Sequence, residues 1–436
     1  MAREPRPLSR AVRPPFRTIS VRSAPQGNRV SFCVTKGANA ESVTILLIRE
    51  GVGGMRKGYA TAEDAFDRVV DFLKHFDGLE DPRQQAKVLY PLDEILLLCL
   101  LGVLAGCESW VEISRFGEKK LALLRRFLPF KDGTPSHDQL GDVFAALDAQ
   151  AFQSCFIAWV SSLTKLGASI VAIDGKTLRR SYQEGGAKAP IHMISAWSAH
   201  QNLVLGQKKV TDKSNEITAI PELLDLLTIK GATVTIDAMG CQHAIAAKIK
   251  DKEADYVLAL KGNQGTLRND VELFFAEQKA KSFADTIAIS HNTLEKSHGR
   301  IETRTTTAVD DIAWLKARHN WPGLQSIVMV ESTREIAGRS ECETRYYIAS
   351  LKADAATLAE AIRGHWGIEN GLHWVMDMLF RDDECRIRKK NAPANFTTIK
   401  HMASNLLRQA PGKDSVRVKR KVAAWDDVNS GFTPLP

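Results

Sequence analysis

The run Ser169-Ile170-Val171-Ala172-Ile173-Asp174-Gly175-Lys176 decides how the fold is read. Upstream of it, from Phe66 to about Leu163, apolar residues recur at helical spacing, and Ser109-x-x-Glu112 and Ser136-x-x-Gln139 both spell capping boxes. From Ser169 onward short β-branched runs take over, at Ser169–Ile173, Ile191–Trp197, Leu203–Val210, Thr233–Ile236 and Tyr256–Leu260. Helical patterns at Ile217–Thr228 and Ala244–Asp251 separate the later runs. Strands followed by strand–helix alternation predict an α/β fold, a mixed sheet flanked by helices.

Working outward, a helical N-terminal domain is expected over residues 60–164 and an α/β domain over 168–410. Strand-like pieces without long helices at about 283–350 read as a β-rich insertion, followed by a long helix at 354–380 and another at about Phe396–Arg408. Residues 411–436 are expected to be a basic C-terminal tail. Residues 1–54 are Arg- and Pro-rich and mostly aperiodic, which suits a transit peptide, a disordered arm or an annotation artefact with translation starting at Met55.

Composition narrows the classes. A chain of 436 residues, 44% apolar and 25% charged, has material for more than one core. Seven scattered cysteines without a C-x-x-C pair argue against a disulfide framework and a thiolate zinc site, and fit a reducing cytoplasm. The apolar run Ile95–Ala105 is too short for a bilayer, so no membrane partner is expected. Of the net charge of +8, residues 1–54 supply +6, from nine Lys/Arg against three acids. The other cluster spans Arg386–Lys421, with eleven Lys/Arg against Asp414; it reads either as a polyanion-binding surface or as a solvated tail. No Walker or dinucleotide glycine signature is present, which weighs against nucleotide-cofactor enzymes.

Three carboxylates carry the chemistry. Asp174 and Asp237 each end an apolar strand-like run, where an α/β sheet binds ligands; a helix N-cap or turn role competes for both. Glu369 lies on a helix apolar on nearly every face. On the stripe 358, 362, 365, 369, 372, 376, 379 only His365 and Glu369 are polar. A carboxylate there needs a partner, either a metal ion or an arginine such as Arg386 or Arg388. His365, Glu369 and His373 also share a face, but their spacing is not that of zinc-protease helices. With Trp366, Trp374 and Asn370 beside them, the two histidines suit stacking on a base or sugar, or a packed core. Three such carboxylates can hold two Mg²⁺ or Mn²⁺ ions roughly 4 Å apart for displacement at phosphorus.

Further stretches carry a resemblance: Gly78–Pro82, Ser109–Glu112, Val171–Lys176, Lys213–Ile220, Thr235–Gln242, Lys261–Gln264, Ser297–Arg300 and His365–Trp374. In that order they resemble the H-repeat-associated family of bacterial insertion-sequence DDE transposases, over roughly Phe66–Arg408. The resemblance implies an RNase H-like catalytic core, with Asp174, Asp237 and Glu369 as its metal-binding triad and Asp174 shared by both ions. It implies DNA cleavage and strand transfer on double-stranded DNA, at element ends and target, by a homodimer or larger synaptic assembly. The Tyr, Arg and Lys that wider insertion-sequence relatives set around the glutamate are replaced here by Ile362, His365 and Met376. A hairpin-forming pathway is therefore not carried over. Lys176, Arg179, Arg180, Lys261, Arg300, Arg386 and Arg388 are candidate phosphate contacts, against a solvated-surface reading. Gln264 and His298 either position DNA or cap turns. A domesticated relative that binds DNA without cutting it is the competing function, and the intact triad counts against it.

Overall fold

The computed structural model describes residues 17–20, 30–36, 43–49 and 72–425, the last without 165–166, 168, 183–189, 211–215, 298–299 and 337–338. The chain divides into two compact units, one of residues 1–59 with 436 and one of residues 60–435. Within the stretch read as a leader, β1 (Arg17–Ser20), β2 (Val30–Lys36) and β3 (Val43–Arg49) pair antiparallel in that order.

The large unit begins with helices. Helix α1 (Leu92–Leu104) is apolar all round, and Glu94 to Leu104 are all buried, so it can only be a central element. Its one buried acid, Glu94, accepts from the backbone N–H of Phe130 at 2.6 Å. Helices α2 (Trp110–Lys119), α3 (Leu121–Leu124), α4 (His137–Ala146) and α5 (Ala149–Leu163) follow. Ser136 and Gln139 form the complete capping box read from the sequence. At α2 only half of the other box forms: Ser109 accepts from the Glu112 N–H, while the Glu112 carboxylate reaches the N–H of Glu108.

Next come β4 (Ile170–Tyr182), β5 (Pro190–Ser198), β6 (Leu203–Val210), α6 (Glu216–Leu226), β7 (Thr233–Ile236), α7 (His243–Asp251), β8 (Asp255–Leu260) and α8 (Gly265–Ala280). The expected β-rich segment supplies β9 (Ile289–Ser297), β10 (Arg300–Val309), α9 (Ala313–His319), β11 (Ser326–Ile336) and β12 (Arg339–Ala349). All nine strands from β4 on form one mixed sheet, in the order β6-β5-β4-β7-β8-β12-β11-β10-β9. Only the β4–β7 and β7–β8 pairs are parallel. The mixed α/β architecture is therefore as expected, and strands β9 to β12 extend the sheet through β12 pairing with β8.

The chain closes with α10 (Ala355–Ile368), a π-helical turn (Glu369–His373), α11 (Trp374–Phe380), α12 (Ala392–Gln409) and α13 (Val416–Trp425). Fifteen of the eighteen α12 residues are buried, because this helix packs on α1, α4, α5 and β6. One apolar core consequently runs from Phe72 to Leu407 and joins the helices to the sheet. Among the described residues no single helix is long and apolar enough to cross a membrane.

Candidate active site

Parallel pairing of β4 with β7 ends at Ile173↔Ile236, so the next residues of the two strands, Asp174 and Asp237, stand side by side at that edge. The expectation that Asp174 ends its strand needs correction. Strand β4 runs on to Tyr182 along β5, with Asp174 opposite Ser195, and only its β7 side is released. Asp174 Oδ1 accepts from the N–H of Gly175 at 2.9 Å. Asp237 does act as an N-cap: its Oδ1 accepts from Met239 and Gly240 of a short 3-10 turn, at 3.0 and 3.4 Å. Its Oδ2 takes no hydrogen bond among the described residues, so the capping role leaves that oxygen available.

Glu369 sits where the long helix expected over 354–380 breaks. Residues Glu369–His373 form a π-turn, a rare interruption of α-helices that is frequent at functional sites. Gly371 lies within it against Trp197: a Cβ there would meet Trp197 Cζ2 at 2.8 Å. Arg408 donates to the Gly371 carbonyl and stacks over the Trp197 ring at 4.9 Å. Glu369 is exposed and has no ion pair among the described residues; Arg388 donates instead to the Arg180 carbonyl, and Arg386 is exposed.

Single donor atoms of Asp174, Glu369 and His373 lie within 4.8 Å of one another. His373 Nε2 is 3.3 Å from Asp174 Oδ2 yet makes no aligned hydrogen bond. Burial alone would raise the Asp174 pKa, but the imidazoles of His373 and His365 hold the carboxyl below its usual range. His365, 3.2 Å from the Thr235 hydroxyl, is itself pushed down by burial, against the pull of Asp174 and Asp237. Asp237 falls outside the tight cluster but lines the same cavity of about 560 Å³ as Asp174, Glu369, His365 and Lys261.

This geometry can be set beside known proteins. Residues 165–406 match the family described as Transposase DDE domain, and residues 73–160 the one described as DDE_Tnp_1-associated. The chain belongs to the DDE transposase family. It is similar to "Putative transposase YncI" of Escherichia coli O157:H7, 43% identical over 82% of this chain and 92% of that one. It is also similar to "H repeat-associated putative transposase YhhI" of E. coli strain K12, 40% identical over 81% and 95%. A piggyBac transposase synaptic complex with hairpin DNA, solved by cryo-EM, has a TM-score of 0.37 and 10% identity over 86% of this chain and 81% of that one. The H-repeat resemblance is borne out, and with it a metal-dependent enzyme that cuts and joins DNA.

The other expected contacts of this DDE transposase are scattered. Lys176, rather than reaching into solvent, donates to the Asp377 carboxylate and, at 3.2 Å, to the His373 carbonyl, tying β4 to α11. Gln264 donates to the Cys241 carbonyl at 2.9 Å, which ties the turn after β8 to the segment that follows β7 and its 3-10 turn. Arg300 pairs with Glu302 at 3.0 Å. Arg388 donates to the carbonyl of exposed Arg180 at 3.2 Å, and Arg386 and Asn370 are exposed. His298 and the Arg179 side chain lie outside the described residues.

The basic stretch 386–421 reads differently once folded. Lys400 and Arg420 are buried and Arg408 is half-buried, each bound to chain groups, so three of the eleven charges are structural. Sequence reasoning also missed what supports the site: Asp377, Trp197, Arg408 and a buried His192–Glu216 pair, 2.5 Å apart, packed against Gly175. Glu216 did carry a signal, since it lies in the family motif at 213–220.

Proposed function

We propose that the chain cleaves double-stranded DNA and transfers the strand with two divalent cations, Mg²⁺ or Mn²⁺, held by Asp174, Asp237 and Glu369. What carries this reading is the meeting, in one cavity of a DDE-family chain, of Asp174 and Glu369 with an adjacent Asp237. The donor set fits hard cations: all three are carboxylates, Glu369 has no competing ion pair among the described residues, and Asp237 keeps Oδ2 uncommitted. When bound, such ions activate the attacking oxygen and stabilise the leaving one in displacement at phosphorus.

The chain's own groups fix the geometry. Two neighbouring strands place the aspartates, the π-turn places Glu369, and Lys261 at the cavity rim orients phosphate. Arg179, Arg180, Arg300, Arg386 and Arg388 serve as further phosphate contacts, His298, His365 and Asn370 position the bases and sugars, and Lys176 and Gln264 act as tethers. The half-sheet β6-β5-β4-β7-β8 with its flanking helices supports an RNase H-like core. The working form is a homodimer or larger synaptic assembly on two DNA ends, in the cytoplasm at the nucleoid.

Asp174→Ala, Asp237→Ala and Glu369→Ala should each lower Mg²⁺-dependent cleavage of the DNA flanking the gene by about a thousandfold, roughly 4 kcal/mol of barrier. Gel-shift affinity for the same DNA should stay near that of the parent. Undiminished cutting by any one variant removes that residue from the mechanism.

A further inference from the structure

We infer that His373 is a direct nitrogen donor to the cation held by Asp174 and Glu369, which makes this a mixed nitrogen–oxygen site that prefers a transition ion such as Mn²⁺ or Co²⁺ to Mg²⁺. The inference rests on the metal reading above and adds a ligand to it.

The His373 side chain is 7% exposed, and its Nε2 has no hydrogen-bond partner. A buried polar atom left unpaired is costly, so one lying close to two carboxylates needs an explanation. Nε2 stands 3.3 Å from Asp174 Oδ2, longer than a charge-assisted hydrogen bond and without its alignment, so the contact with Asp174 alone leaves the nitrogen unsatisfied. A lone pair directed at a shared cation satisfies the nitrogen and both carboxylates together.

The backbone is built for this convergence. The π-turn runs from Glu369 to His373 and so carries both donors, while Lys176 of β4, two residues beyond Asp174, holds the His373 carbonyl. Asp174, Glu369 and His373 thus come from two elements joined at this point, with donors within 4.8 Å of one another. An imidazole in a site raises affinity along the first transition series far more than for Mg²⁺, which favours oxygen ligands and its own waters.

The test is Mn²⁺ binding to the full chain without DNA, followed by electron paramagnetic resonance with pulsed detection of nitrogen coupling. The expected result is Mn²⁺ bound more tightly than Mg²⁺ in competition, with a coupled imidazole nitrogen. In His373→Gln the coupling should vanish and Mn²⁺ affinity should fall by about tenfold or more, since loss even of a group that only supports a metal ligand costs about 10–100-fold. In His365→Gln the coupling should persist. His373→Asn, checked by circular dichroism, repeats the measurement should the glutamine variant misfold. Bound Mn²⁺ without nitrogen coupling, or coupling that survives His373→Gln, overturns the proposal and leaves the carboxylate site standing. Mn²⁺ binding unchanged by both Asp174→Asn and Glu369→Gln would instead remove the metal site itself, and this inference with it.

Discussion

Lys400 and Asp382 are 1% and 2% exposed and meet at 2.8 Å between α12 and the turn after α11. Burial disfavours both charges, yet each holds the other in its charged form: the Asp382 carboxyl stays below its ordinary value and the Lys400 ammonium above its own. Lys400→Met strands the carboxylate and should cost about 3–5 kcal/mol in urea unfolding, most of it regained in the Lys400→Met/Asp382→Asn double variant. Because the folded pKa of Asp382 is depressed, the stability it contributes is complete above the unfolded value and is lost as pH falls through the folded one. Parent stability should therefore decline in acid, below about pH 4, and less steeply in the double variant. This pair also explains what a linear reading gets wrong. Charge counting along 386–421 sees Lys400, Arg408 and Arg420 as one basic patch, although helical packing turns all three inward. Asp174 and Asp237 stood out because an apolar run followed by an acid is a local pattern, although only Asp237 ends its strand. The setting of His373 was not, because it depends on a strand about two hundred residues away in the chain.

At the scale of elements, the break between α10 and α11 matters most. Residues 354–380 read as one helix, since a segment apolar on nearly every face gives no phase by which to detect a turn wound more widely. The signal was Gly371, a poor helix former in mid-helix, which the structure places against Trp197. Gly371→Ala puts a methyl carbon 2.8 Å from Trp197 Cζ2, and overpacking of this kind costs about 1–3 kcal/mol. Differential scanning calorimetry should show a lower melting temperature. Mn²⁺ affinity should fall as well, because the strain is relieved by moving the turn that carries Glu369. A variant as stable as the parent with unchanged Mn²⁺ affinity would mean that the turn tolerates displacement.

Across the whole molecule, β6 is an edge strand, and α12 seals it. Asn405, fully buried, accepts from the N–H of Val204 and donates to its carbonyl, both at 2.9 Å, so one side chain stands in for a neighbouring strand. Asn405→Leu orphans both groups and should lower stability by about 3 kcal/mol, seen as a lower urea midpoint at unchanged slope. Periodicity located these helices and strands well but could not say which faces meet. For that reason the role of α12, the helix that touches α1, α4, α5 and β6, was invisible in the sequence. Its lateness in the chain has a consequence for synthesis. A ribosome has made both aspartates long before it reaches Glu369, and the helix that closes the hydrophobic interior emerges later still. On the proposed role of Glu369, a nascent polypeptide has no means of cutting the genome around it, and competence to break DNA arrives only once Glu369 and the helix behind it have emerged.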